Sequence, residues 1–156
     1  MLCSIQIEEG KDKKKIYDFL EQASRAGSSV GWFDEKNANK AYINEFGGVK
    51  RGHTGKKVVI PPRPFINPSI TKISSMKTLG GFKENIRKNV IIFAFLQLGE
   101  YFKEIMTTSI NRVWNPPLAD LTIKLREQRG VYVEGVDKPL VETGEMRDSI
   151  EVKVIK

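Results

Sequence analysis

Residues 138–150 read KPLVETGEMRDSI, and this stretch decides how the C-terminal part of the chain folds. Pro139 disfavours a helical conformation at the residue before it and begins an extended segment. Thr143 suits the cap of a short helical turn, and Glu145 suits the positive end of that turn. Apolar and charged residues then alternate over residues 150–154, which predicts a half-buried strand. We therefore expect an ordered C-terminal hook whose last strand inserts into a sheet.

The rest of the chain alternates between short strand patterns and amphipathic helix patterns. The N-terminal patterns predict a strand at 2–7 and a helix around 16–23 (together a lead segment, 1–29), then a strand at 30–33 and a polar turn at 34–39. Residues 41–46 suit either a strand or a helix, and we favour the strand. There follow an extended segment at 60–65, a helix at 81–110, and a helix from Asn115 to about 130. This order predicts a single α+β domain over residues 1–156, with a mostly antiparallel sheet packed on one long helix plus shorter helices. The C-terminal strand would close the sheet.

The long helix carries two apolar stripes, which make its apolar surface wider than one packing contact needs. Either the sheet wraps this helix or part of the helix meets another subunit, and the candidate assembly surface is the stripe of Ile91, Phe95, Leu98 and Phe102. Gly99 lies inside the pattern, where it costs ~1 kcal/mol relative to alanine. It therefore indicates either a kink or a close contact.

Positive charge is concentrated in the middle of the chain. The net charge is +7, and residues 30–80 account for +6 of it, with nine Lys/Arg and three Asp/Glu. Residues 47–57 are rich in glycine and predict a flexible basic loop, with a hairpin tip as an alternative. Such a patch can meet DNA, an acidic protein surface or only solvent, through Lys50, Arg51, Lys56 and Lys57. Arg63 stands between two prolines on a stiff segment, from which it either reaches a partner or lies along the sheet.

The sequence offers no catalytic or metal-binding pattern, and we expect neither enzymatic activity nor a cofactor. The single histidine, His53, lies in the glycine-rich loop, which is poorly suited to a preorganised site. Gly55-Lys56 lacks the earlier glycine and the following Ser/Thr of a phosphate-binding loop. Cys3, the one cysteine, excludes an intramolecular disulfide. The longest apolar run, residues 90–96, is too short to cross a bilayer, so we expect a soluble protein without a membrane partner.

Four separated segments occur together in a recognisable order. They are Val30-Gly31-Trp32-Phe33 followed by Ala41 to Gly47, Ile60 to Phe65 (IPPRPF), Trp114 to Leu118 (WNPPL) with Thr122-Ile123-Lys124, and Lys138 to Met146 (KPLVETGEM) with Ser149-Ile150. In this order they resemble the tail-completion and virion-morphogenesis proteins of tailed bacteriophages and prophages. The resemblance covers roughly residues 30–152, and its specificity lies in the ordered set rather than in any one segment.

The resemblance implies a non-enzymatic protein of the phage neck, located in the virion and made in the cytoplasm of the bacterial host. It would form a ring, which we expect to be a hexamer, at the head-proximal end of the tail and allow the tail to join the filled capsid. Its partners would be itself and other neck, tail-tube or connector proteins, with transient contact to passing DNA. The longer lead before residue 30 and the loop at 131–137 depart from the family pattern. They leave tail completion, tail termination and head-tail connection open as exact roles.

An alternative hypothesis assigns the chain to a different functional class, a small basic nucleic-acid-binding module. It rests on the positive middle segment, and no helix-turn-helix, zinc-finger or RNA-recognition pattern accompanies it. A nuclease using His53 is the third and weakest reading.

Overall fold

A computed structural model describes residues 11–51, 55–74, 79–88, 90–129 and 136–155. The predicted strand at 2–7, His53 and residues 131–135 of the loop at 131–137 lie outside these ranges. The described residues form α1 (Lys11–Arg25), β1 (Gly27–Gly31), α2 (Glu35–Phe46), β2 (Gly48–Arg51), β3 (Lys57–Ile60), α3 (Ile66–Ser74), α4 (Leu79–Arg87), α5 (Ile91–Arg112), α6 (Asp120–Gln128), α7 (Glu145–Asp148) and β4 (Glu151–Ile155). The predicted α+β class is confirmed, including the long helix, which is α5.

The C-terminal strand pairs with a strand from the other end of the described chain. β4 runs antiparallel to β1, and Val152 lies opposite Val30 in the register. The predicted insertion of the C-terminal strand into a sheet is therefore confirmed. The strands do not form one sheet, however, because β2 and β3 pair only with each other in a second two-stranded antiparallel sheet.

Helix α5 packs across the β1–β4 sheet, and Gly99 marks the point of closest approach. A Cβ atom built on Gly99 would overlap the Cγ1 atom of Val152 and lie 3.4 Å from the Cβ atom of Ser28. Only glycine allows the helix to sit this close to the sheet. The close contact that the sequence offered as one explanation of Gly99 is thus observed.

The C-terminal hook supplies half of the main buried cluster. The buried members are Phe65 from α3's start, Ala41 from α2, Met106 and Ile110 from α5, and Leu140, Val141, Met146 and Ile150 from the hook. Trp32 packs against this cluster edge-on to Phe65, with 5.8 Å between ring centroids. The hook is therefore part of the core. Burial of apolar side chains, at roughly 25 cal/mol per Å² of apolar surface, stabilises its attachment.

The predicted turn at 34–39 and the favoured strand at 41–46 are wrong, because these residues belong to helix α2. The helix alternative for residues 41–46 is the one observed. Asp34 is its N-cap, and its carboxylate accepts a hydrogen bond from the backbone N–H of Asn37 at 2.7 Å. Gly47 ends the helix with a positive φ of 77°. Both capping signals are present in the sequence, and the alternation of residues 41–46 concealed them.

The predicted helix over 81–110 is divided into α4 and α5, which lie against each other. The backbone N–H of Val90 bonds to the carbonyl of Asn85 at 2.9 Å, and no side chain caps the start of α5. Phe82 and Phe95 meet edge-on, with 5.3 Å between ring centroids. Helix α4 therefore folds back onto α5, and the two helices bury part of each other's apolar surface instead of forming one straight helix.

The break at Trp114–Pro117 is present, but the predicted helix start at Asn115 is wrong. Helix α6 begins at Asp120 with Ala119 as its N-cap, and the Asn115–Pro116 peptide bond is cis. The segment between α5 and α6 is therefore a connection without helical structure. In the described part of the chain, no helix has both the length and the apolar character needed to cross a membrane.

Candidate assembly surfaces

The basic segment forms a short β-arm, by which we mean strands β2 and β3. Residues 47–57 were predicted as a flexible loop, but Gly48–Arg51 and Lys57–Ile60 are paired strands, so the hairpin alternative holds. The four predicted contact residues are all exposed on the arm or beside its tip: Lys50, Arg51, Lys56 and Lys57. The two strands pack against each other and at most marginally against any other described element. The arm therefore has little contact with the other described helices and strands.

The two faces of the arm differ in composition. Val49 lies opposite Val59, and Arg51 lies opposite Lys57. Residues two apart on a strand share a face, so these four side chains form one surface, which we call the valine–cation face. Val49 is 65% exposed and Val59 72% exposed, which is high for apolar side chains on a strand. The opposite face carries Lys50 across from Val58.

The pair of Arg51 and Lys57 is unfavourable in the isolated chain. Like charges directly opposite each other on antiparallel strands destabilise the pairing. No carboxylate within the described ranges forms an ion pair with either residue. A partner that places negative charge against this face would remove the repulsion.

The predicted assembly stripe of α5 faces mostly inward. Ile91 is buried, and the other three predicted residues, Phe95, Leu98 and Phe102, are half-buried. The apolar side chains that α5 and its N-cap leave exposed are instead neighbours of that stripe: Val90, Ile92, Phe93 and Leu96. Gly99 could have located the buried stripe, because the smallest residue of a helix marks where another element approaches.

A groove lies beside this exposed part of α5, where the end of α1 passes its start. It has a volume of about 420 Å³, and its lining is Asp18, Glu21, Gln22, Arg25, Ala26, Ile91 and Ile92. The carboxylate of Glu21 pairs with Arg25 at 2.8 Å. Asp18 is exposed and has no ion-pair partner among the described residues. The groove therefore combines isoleucine side chains with an available negative charge.

Glu45 joins two of the segments on which the resemblance rests. The residue is 3% exposed, and its carboxylate accepts backbone N–H bonds from Phe65 at 2.7 Å, Ile66 at 2.8 Å and Asn67 at 3.1 Å. These are amides at the start of α3, which the helix itself leaves without partners. A residue of α2 thus caps a helix twenty positions later in the chain.

Arg63 joins the second segment to the third. It is 6% exposed, and its Nε and Nη2 atoms donate to the carbonyls of Pro116 at 2.8 Å and Pro117 at 3.0 Å. Burial lowers the pKa of this guanidinium, with a smaller contribution from Arg126. The Arg63 side chain therefore makes its hydrogen bonds within this chain. The alternative in which it reaches a partner does not fit its burial.

The hook is held by two further contacts. Arg126 donates from Nη1 to the carbonyl of Lys138 at 2.8 Å, and its own pKa is lowered, chiefly by burial. Trp32 donates from Nε1 to the carbonyl of Met146 at 2.6 Å. All four segments behind the resemblance are thus connected by side chains that bind one another's backbone.

Glu145 is the most strongly perturbed carboxyl group among those described. Lys36 and Lys40 of α2 bond to its two oxygens, at 2.6 and 2.8 Å. The hydrogen bond from Lys36, and next that from Lys40, lowers the pKa of Glu145 to about 2. Conversely, Glu145 raises the pKa of Lys36. This ion-pair cluster fastens α7 of the hook to α2.

The sequence interpretation missed Glu45, Arg126 and the two lysine partners of Glu145, because these contacts depend on which atoms the fold brings together. Only Glu145 had a local signal, its place in the first turn of a helix. In the described part of the chain, no group of three His, Cys, Asp or Glu side chains could hold a metal ion. Comparisons with protein-family models, with curated proteins and with solved structures find no match to this chain.

Proposed function

We propose that this chain is a structural subunit of the neck of a tailed bacteriophage or prophage. It acts by assembling into a ring at the head-proximal end of the tail, where it enables the tail to join the filled head. Tail termination or head-tail connection is the alternative position within the same assembly. The protein would act in the virion, after assembly in the bacterial host, without a cofactor or a catalytic step.

The observation that carries this proposal is the coexistence of a firmly connected body and unpartnered surfaces. The body is joined by Glu45, Arg63 and Arg126, each bonded to the backbone of another segment. The β-arm and the start of α5 instead expose valine, isoleucine and phenylalanine side chains to solvent. Exposed apolar groups beside a rigid body are typical of a subunit that completes its burial in an assembly.

The hydrogen bonds within the body also support the resemblance to the phage proteins. The four family segments are far apart in sequence, yet they meet one another in the fold through hydrogen bonds such as that from Arg63 to Pro116. Segments that form one connected framework are expected to recur together and in order. This gives the ordered set a physical reason without a catalytic role for any of its residues.

The test is a phage or prophage from which this gene is deleted, with lysates viewed by electron microscopy. Filled heads beside unattached tails of normal length would support a joining role. Overlong tails would support the terminator alternative. Normal infectious particles would overturn the neck proposal altogether.

A second candidate function is contact with nucleic acid through the arm. It is favoured by the four exposed cations Lys50, Arg51, Lys56 and Lys57. Contacts to phosphate are independent of sequence and weaken steeply with salt. Binding of a DNA duplex by the purified protein, titrated from low to high salt, tests this function. No binding at the lowest salt would reject it, since the electrostatic attraction is then strongest.

A further inference from the structure

The valine–cation face of the arm has the composition of a protein-binding surface. Its cations stand near the tip, and its two exposed valines stand nearer the body. A nucleic-acid backbone would satisfy Arg51 and Lys57 but would leave Val49 and Val59 in contact with water. A partner surface that presents carboxylate beside apolar side chains would satisfy all four.

The groove between α1 and α5 presents that combination. Asp18 offers an exposed carboxylate without an ion-pair partner among the described residues, and Ile91 and Ile92 line the same groove. Exposed Phe93 extends the apolar surface along α5. The volume of about 420 Å³ falls in the range of about 300–1,000 Å³ typical of ligand pockets, which is room for several side chains of a hairpin.

We propose that the valine–cation face of the arm docks into the α1–α5 groove of a second copy of this chain. Arg51 and Lys57 would lie near Asp18, and Val49 and Val59 would cover Ile92. This inference rests on the proposed function, because it supplies the contact by which the subunits assemble. The two surfaces are different, so the contact is head-to-tail and generates a closed ring when its rotation closes.

The charges favour this pairing over self-association of two arms. Two arms face to face would place four cations together, and two grooves would place the Asp18 carboxylates together. Like charges set against each other across an interface oppose association. Arm against groove is the combination that pairs cations with the carboxylate and apolar side chains with apolar side chains.

The test uses two purified full-length variants with opposite defects. The arm variant carries Arg51→Glu and Lys57→Glu, and the groove variant carries Asp18→Lys and Ile92→Lys. We expect wild-type protein to form closed oligomers and each variant alone to self-associate at least about a hundredfold more weakly. An equimolar mixture retains one intact contact per pair, so we expect it to form a heterodimer and nothing larger. Sedimentation velocity measures all four samples.

A matched control carries Lys83→Glu and Arg87→Glu, the same charge change on two exposed residues of α4. It is expected to assemble as wild type does. Cross-linking provides a second measurement that does not depend on charge-reversed variants being well folded. With Cys3 replaced by serine, a Val59→Cys protein mixed with an Ile92→Cys protein should form a disulfide-linked heterodimer under mild oxidation. A Val58→Cys protein, with its thiol on the other face of the arm, should not.

Each outcome decides the proposal. Wild-type oligomers that persist in the arm variant, without the Val59–Ile92 disulfide, would overturn the docking contact and leave the proposed neck function standing. Wild-type protein that stays monomeric at every concentration would overturn both the contact and self-assembly. An arm variant that keeps the oligomer but loses binding to a DNA duplex would assign the arm to nucleic acid instead.

Discussion

Glu45 places a buried carboxylate at the start of a helix that belongs to a different part of the chain. The carboxylate accepts hydrogen bonds from the backbone N–H groups of Phe65, Ile66 and Asn67, which form the N-terminus of α3. The positive end of a helix dipole favours negative charge at this point. The residue therefore fixes both the direction of α3 and its distance from α2.

The Glu45→Gln variant tests this role. An amide has one acceptor oxygen instead of two, so at least one of the three backbone N–H groups loses its partner. We expect the free energy of unfolding to fall by about 1–3 kcal/mol, the range for a buried polar group left unsatisfied. Urea denaturation measures the change. Glu100→Gln, at an exposed position inside helix α5, should change it by less than about 0.5 kcal/mol, and equal effects at both positions would refute the capping role.

Gly99→Ala tests the close contact between α5 and the sheet. Alanine gains ~1 kcal/mol of helix propensity, but its Cβ atom overlaps the Cγ1 atom of Val152, and overpacking costs about 1–3 kcal/mol. We expect a net loss of stability that is partly restored in a Gly99→Ala/Val152→Ala double variant, as a thermal-unfolding cycle would show. Gly81→Ala is the control, because its new Cβ atom would lie an ordinary 3.6 Å from the Gln97 side chain. Stabilisation by Gly99→Ala would contradict the contact.

At the scale of elements, the hook depends on one left-handed residue. Gly144 has φ 74° and ψ −14°, and a Cβ atom there would lie 2.9 Å from a carboxylate oxygen of Asp148. A β-branched side chain in this conformation costs roughly 1–2 kcal/mol or more. We expect Gly144→Val to lower the melting temperature and loosen the hook. Gly144→Asn should cost less, since asparagine tolerates the conformation, and equal melting temperatures for wild type and Gly144→Val would contradict the turn.

The ion-pair cluster makes the attachment of the hook dependent on pH. The pKa of Glu145 in the folded protein is about 2, below its ordinary value of 4.5. A depressed carboxyl pKa contributes stability that is fully present above about pH 4.5 and is lost as pH falls towards 2. We expect the difference in urea midpoint between wild type and Glu145→Gln to be constant above pH 5 and to vanish near pH 2.

The fluorescence of Trp32, which bonds to Met146, reports the same transition at the hook itself when Trp114 is replaced by phenylalanine. Glu151→Gln is the matched control, since it removes the same charge from an exposed position of β4. A difference in urea midpoint between wild type and Glu145→Gln that stays flat from pH 5 to 2, as the difference between wild type and Glu151→Gln should, would contradict the role of Lys36 and Lys40.

The helices, strands and breaks that the sequence predicted correctly are those that a single local pattern specifies. The strand at 150–154 is set by alternation, and the break at 114–117 by proline. Helix α2 was mistaken for a strand because alternating Ala41 and Ile43 outweighed its caps, Asp34 and Gly47. The division of α4 from α5 has no proline or glycine behind it, and it accompanies a tertiary contact, the packing of Phe82 on Phe95, that the local sequence does not specify.

At the scale of the whole molecule, part of the candidate assembly surfaces was predictable from local sequence and part was not. The basic residues of the arm were predictable, because charge and glycine content are local properties. The exposed side of α5 was not, because the β1–β4 sheet selects which stripe is buried. Arg63, a predicted contact residue, lies inside because the carbonyls of Pro116 and Pro117 are brought to it by the fold.

The body should fold without its arm, and this is the prediction that concerns the whole molecule. Gly48 lies opposite Ile60, so a short glycine-serine linker can replace residues 48–60 without moving the ends of the body. An isolated two-stranded hairpin adds little stability. We expect the melting temperature to change by less than about 4 °C, the equivalent of ~1 kcal/mol in a domain of this size.

Met146→Ala, a single buried substitution in the hook, sets the scale for comparison. It should cost about 2–5 kcal/mol, and therefore shift the melting temperature more than removal of the whole arm does. The armless protein should at the same time lose self-association, because its α1–α5 groove has no arm to receive. An armless chain that unfolds would mean that the arm packs on its own body. In that case the valine–cation face would not be available to a second copy, and the docking contact would fail with it.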